Sequence, residues 1–194
     1  MAEAVDRSGP AWAVRLLAEI EASESRAESV ARGLTPDQLN WNPRPGSWSI
    51  GQCLHHLFLA NEVYLPPIAA SLEGQPRVPV QYIHPGWFSR WFMRNFIEPP
   101  TQMKRVPAPT KIVPPPRIDP SILGSLLRSN QTLRDLIRRA SDHDVNRIRF
   151  KNPFVSWIRF TVGTGLEIVA RHQVRHVMQA ERVREAEGFP AGGS

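Results

Sequence analysis

Apolar residues return every three to four positions in four long stretches, the spacing that lays one stripe along an α-helix. In the first, Trp12, Ala13, Leu16, Leu17, Ile20, Ala27 and Val30 keep this period between about Pro10 and Ala31. Pro10 suits an opening turn and Gly33 a stop. The second stretch begins at about Ser49, after the turn Arg44-Pro45-Gly46, and reaches about Tyr64. There Pro66 and Pro67 are expected to disrupt or end it, because a proline lacks the N–H and its ring crowds the preceding turn. The third opens with Asp119 as N-cap and Pro120 at the first helical position. Its stripe is Ile122, Leu123, Leu126, Leu127, Leu133, Leu136 and Ile137, with basic residues opposite. The fourth runs from about Val162 to Glu187 and stops at Gly188, with Pro190 just beyond.

Between the second and third predicted helices lies Gly74 to Pro120, which holds eleven of the nineteen prolines. A shorter helix around Trp87–Ile97 interrupts it. The run VPAPTKIVPPPRIDP can be neither helix nor central strand, so an extended segment lying on the bundle is expected. A span of this length without regular structure serves either as a functional flap or as a crossover tying two helix pairs together. Strand signals are weak; Phe150 to Phe160 is the one alternative stretch, and it contains Pro153. The pattern predicts an all-α chain, a four-helix bundle with a long Pro-rich crossover (its most Pro-rich segment 99–120) between helices 2 and 3, forming one domain over residues 10–190.

Composition narrows the class without changing that picture. The 194 residues are 41% hydrophobic and 22% charged, an ordinary globular balance. No apolar run of about eighteen residues exists, so no membrane span is expected. The start, MAEAVDRSGP, has acids and no apolar core, unlike a signal peptide. Cys53 is the single cysteine, which excludes an intrachain disulfide or a thiolate metal cluster and points to a reducing cytoplasm. Lys and Arg number 24 against 18 Asp and Glu, for a net charge of +6. The excess is scattered and no nucleic-acid-binding motif accompanies it, so it reads as a basic solvated surface rather than a specific nucleic-acid site.

Six histidines remain to be placed: His55, His56, His84, His143, His172 and His176. His172 and His176, four apart on the last helix, can aim two imidazoles at one point, a spacing suited to a single ion. They share their sector with Ile168, Val169, Gln179 and Val183, while Arg171, Arg175, Arg182 and Glu185 fall elsewhere. Two hydrogen-bonded histidines in a polar seam would show the same pattern. On the second helix His56 points inward with Cys53, Ala60 and Val63, and His55 falls beside Glu62 on the polar side. A closely packed bundle lets His56 complete a three-nitrogen site for one divalent ion. His84 and His143 fall in loops and read as surface residues. All-nitrogen ligation suits Zn, Ni, Fe or Cu, and leaves a coordination position open to a small-molecule substrate. No general base stands out; Asn61, Gln179 and Arg175 are within conceivable reach.

The stretch Trp41-Asn42-Pro43 through Pro45-Gly46-Ser47-Trp48-Ser49-Ile50, followed by His56-Leu57, resembles the opening of the DinB-like (DinB/YfiT) superfamily. Leu34-Thr35-Pro36-Asp37-Gln38-Leu39 is similar to the turn before it, and RHQVRHVMQAERV resembles the family's last helix. The likeness covers roughly residues 10–190. It implies a four-helix bundle whose cleft holds a divalent metal on His56, His172 and His176, and often a homodimer. Relatives include metal-dependent hydrolases and transferases or isomerases that activate a low-molecular-weight thiol. The rival reading is a non-catalytic, stress-related binding module with a structural or vestigial histidine cluster. The aromatic group Trp87, Phe88, Trp91 and Phe92 suits a dimer interface or a cover for the bundle end.

Overall fold

A computed structural model describes residues 9–97 and 107–191. The acidic start and the 98–106 part of the crossover lie outside the described residues. Four long helices dominate: α1 (Ala11–Ala31), α3 (Ile50–Ser71), α5 (Ile122–Ala140) and α6 (Val162–Arg184). Shorter ones are α2 (Pro36–Asn40) and α4 (Trp87–Phe92), the latter running into a π turn at Met93–Ile97. The expected short helix over Trp87–Ile97 is therefore present.

The long helices form a four-helix bundle in which α1 and α3 each pack against both α5 and α6. Chain neighbours α1 and α3 thus occupy opposite corners. Trp12, Leu16, Leu17, Ile20, Ala27 and Val30, the periodic residues of the first stretch, are all buried. So are Leu126, Leu133, Leu136 and Ile137 of α5, which places the stripe against the core. Ion pairs at the rim join the helices: Arg15 to Glu167 at 2.6 Å and Arg26 to Glu181 at 2.5 Å between α1 and α6, and Arg134 to Glu24 between α5 and α1.

Three local expectations are corrected. First, α3 does not stop before Pro66 and Pro67 but continues to Ser71. The prolines free the carbonyls of Glu62 and Val63, which are exposed and half-exposed, so water can serve them. Leu65, Ile68 and Leu72, just before and beyond, are buried, and that burial outweighs two lost hydrogen bonds. Second, Asp119 is not the N-cap of α5. Its carboxylate accepts from the Ser121 N–H at 2.8 Å, and the helix starts at Ile122. Third, residues 150–160 contribute a small hairpin, β1 (Arg149–Lys151) paired antiparallel with β2 (Arg159–Thr161), with Phe150 opposite Phe160 and both buried. Pro153 sits harmlessly in its loop, where Asn152 accepts from the N–H groups of Phe154 and Val155.

The described part of the crossover is extended apart from one 3-10 turn, Thr110–Ile112. It is pinned to the bundle by side chains that satisfy its backbone. Asn40 accepts from the Ile118 N–H and donates to the Ile118 carbonyl, and Gln52 donates to the carbonyl of Pro115. No helix among the described residues is long and apolar enough to cross a membrane.

Candidate metal centre

The turn before α3 sets the position of His56. Ser49 caps the helix by accepting from the Gln52 N–H, while Gln52 accepts from the Ser49 N–H in return, a reciprocal capping box. Two residues after Ser49, Gly51 lets α2 and the crossover close on the helix start; a Cβ there would lie 3.0 Å from the Ile118 Cβ and 3.1 Å from Leu39. His56 follows on the second turn, facing α6. Because α6 is regular through its middle, His172 and His176 present their rings one above the other.

The three rings meet. Their centroids lie 4.4–4.8 Å apart, and the Nε2 atoms of His56 and His172 are 3.1 Å apart. One ligand nitrogen from each lies within 4.8 Å of the other two. Two nitrogens at about 2.1 Å from one ion can be at most about 4.2 Å apart. Tetrahedral ligation would bring the three nitrogens to about 3.4 Å from one another, so the rings need to close by roughly an ångström to share a single ion.

Other contacts orient the rings. The Ile112 carbonyl, on the 3-10 turn of the crossover, lies 2.7 Å from His56 Nδ1, so that nitrogen carries the proton and Nε2 is left to ligate. His176 Nδ1 is 3.0 Å from Gln179 Oε1 with the same consequence. The Trp48 ring packs over both, 4.6 Å from His56 and 5.7 Å from His176. The trio forms part of the wall of a cavity of about 610 Å³ that reaches from Trp48 to the hairpin loop.

The other sequence candidates part company here. His55 is half-buried beside Phe58, 5.9 Å between ring centres, and is not one of the three converging rings. His84 is exposed, as expected of a loop. His143, expected at the surface, is 7% exposed, with Nδ1 2.9 Å from the Pro76 carbonyl, and anchors a loop. Arg175 and Gln179 do line the cavity. Asn61 does not: it donates to Ser129 and Asn130, and Asn130 exchanges hydrogen bonds with Gln173, a polar seam linking α3, α5 and α6. Cys53 is fully buried, which pushes its thiol pKa up and leaves it unreactive. The role of the Ile112 carbonyl had no sequence signal, and Trp48 stood out only as part of the stretch that carries the family resemblance, with no role attached. A backbone acceptor can be any residue, and Trp48 precedes the helix whose periodicity exposes His56.

Burial pushes the His56 pKa down to about 4, against a raising contribution from the Ile112 hydrogen bond. It drives His172 and His176 well below the ordinary histidine value, and the positive charge of Arg175 acts the same way. All three rings are thus neutral at pH 7, the form a metal needs. In the metal-free protein the folded chain refuses protons that the unfolded chain accepts near pH 6.5. Its stability is therefore complete above pH 6.5 and falls as the pH drops from there toward 4. We expect the thermal midpoint of metal-free protein to decline between pH 6.5 and 5, above most carboxylate titration. A variant with all three histidines changed to Leu should be flatter over that range. Equal slopes in the two proteins would contradict the neutral trio.

The sequence of residues 19–180 matches the family described as the DinB superfamily. A comparison with curated protein sequences gave no match. Among solved structures, YfiT from Bacillus subtilis, described as a probable metal-dependent hydrolase with an unusual four-helix bundle topology, superimposes with a TM-score of 0.60 at 18% identity. The alignment covers 92% of this chain and 89% of that chain. At that identity the likeness speaks for the fold alone.

Proposed function

This chain belongs to the DinB superfamily, and from that premise we propose that it is a metal-dependent hydrolase whose single divalent ion is held by His56, His172 and His176. The observation that carries the reading is the convergence of three neutral imidazoles on the wall of a cavity. Zn, Ni and Fe all suit such a nitrogen set. Bound there, a divalent ion supplies Lewis acidity and draws the pKa of water or of a low-molecular-weight thiol down toward neutrality, so transfer onto a thiol is the variant chemistry of the same site.

The chain's own groups do the positioning. Ile112 and Gln179 fix which nitrogen of His56 and His176 is available, and Trp48 restricts ring motion and keeps water from one side. Arg175, on the turn between His172 and His176, brings a guanidinium for a small substrate's negative charge. The reading extends to a cytoplasmic homodimer with residues 10–190 as one domain. Phe88 and Phe92 pack on Phe160, but Trp87 is 76% and Trp91 50% exposed, a face suited to a second copy. Light scattering at micromolar concentration should give twice the chain mass, and Trp91→Ser should lower it to a monomer; a monomeric parent protein rejects the dimer.

The test of the activity is hydrolysis of activated esters by metal-loaded protein, with and without added thiol. Turnover is expected to vanish on chelation, to return with Zn or Ni, and to be lost in His172→Ala. Turnover that survives chelation would remove the metal from the chemistry.

A further inference from the structure

The cavity has two unlike ends. One holds the histidine trio with Arg175 and Gln179, and Arg44 from the turn leading to Trp48. The other is walled by Phe92, Phe96 and Ile97 of α4 and its π turn, and by Phe154, Val155 and Ile158 of the hairpin loop. Tyr64 joins that apolar end, its ring 5.5 Å from Phe154. It lies eight residues along α3 from His56, which is about 12 Å at the helical rise. Ile168 stands equally far from His176 along α6, so both helices run the length of the cavity.

Charge along this wall is one-sided. Among the described lining residues there is no Asp, Glu or Lys; the ionised groups are the guanidiniums of Arg44 and Arg175. A divalent ion held by the three imidazoles would add positive charge, and no carboxylate among the described lining residues offsets it. Such a compartment repels cations. An anion is drawn to the guanidinium end, where a planar carboxylate matches the Arg fork. The apolar end, in turn, is filled at a gain only by a hydrocarbon or aromatic body.

We propose that the cavity takes an anionic amphiphile: a carboxylate head beside Arg175 and the histidine trio, joined to an aromatic or unbranched apolar body that reaches Phe92, Phe96 and the hairpin loop. This rests on the functional reading above and names the substrate class for it. Small polar acids fill only the head site, and long-bodied acids fill both.

Calorimetric titration of the Zn-loaded full chain with acetate, 3-phenylpropionate, 4-phenylbutyrate and 6-phenylhexanoate tests it. Affinity should rise about threefold to fourfold for each methylene buried, and the amide or amine of the same body should bind at least tenfold more weakly than the acid. Phe96→Asn should shrink the gain with length while leaving acetate unchanged. Arg175→Gln, with Arg44→Gln as a second variant, should reduce the preference for acid over amide in the Zn-loaded protein and erase it in the metal-free protein. A flat length series, or equal binding of acid and amide, overturns the inference. The same titrations on metal-free protein separate the two readings. If Zn fails to bind but the length series persists, the metal is wrong and the inference stands. If Zn binds through the three histidines and the series is flat, the inference alone fails.

Discussion

Replacing His176 by alanine is expected to weaken metal binding by at least a hundredfold, while His55→Ala leaves it within a factor of two or three. Loss of an outer hydrogen-bond partner alone commonly costs 10–100-fold in metal affinity, and removal of a ligand costs more. His176 is 7% exposed with its ring 4.4 Å from that of His56, whereas His55, one residue from His56, sits beside Phe58 away from the trio. Competition against a chromophoric chelator measures both variants directly. Equal losses would show that the neighbouring histidine, or none, is the ligand. The bundle should fold in either case, since its apolar core is independent of the trio.

The second large effect is on stability. A Cβ on Gly165 of α6 would fall 2.5 Å and 2.6 Å from the Phe150 ring and 3.0 Å from Ile68. Those neighbours are buried and held by the hairpin and by α3, so they cannot swing aside. Gly165→Val is therefore expected to cost about 3 kcal/mol by overpacking, which lowers the thermal midpoint by roughly 6–12 °C for a chain of this size. Gly124→Ala is the contrast. Its new Cβ meets only the far end of the Arg128 side chain, at 3.3 Å, and it removes a helix-weakening glycine. It should leave stability equal or raise it by about 0.5–1 kcal/mol. A Gly165→Val protein as stable as its parent would refute the close approach of α6 to the hairpin.

The bundle was legible because hydrophobic period is a one-dimensional signal. Trp12 to Val30 and Ile122 to Ile137 announce their buried stripes residue by residue. What misled were local breakers judged without tertiary context. Pro66 and Pro67 look like an ending, yet buried Leu65, Ile68 and Leu72 carry α3 through them. Phe150 to Phe160 carries weak strand signals and Pro153, yet it forms two strands of three residues each, with Phe150 and Phe160 buried opposite one another. His143 sits in a loop, which by itself gives no sign that the Pro76 carbonyl holds it inside.

The candidate site divides along the same line. Helical spacing placed His172 and His176 on one face, and the inward sector of His56 set it opposite them. That α3 and α6 bring these faces together at 3.1 Å between two ring nitrogens is a tertiary fact that no local pattern holds. The crossover is the clearest case. Proline content marked residues 107–120 as extended, but only the fold shows one of its carbonyls locking His56.

The most direct test is a crystal structure of the untagged protein grown with Zn, with anomalous data collected on both sides of the Zn edge. One strong anomalous peak per chain is expected, about 2.0–2.1 Å from one nitrogen each of His56, His172 and His176. A peak bound by fewer than these three histidines, or none in the trio while Zn is present elsewhere, would contradict it.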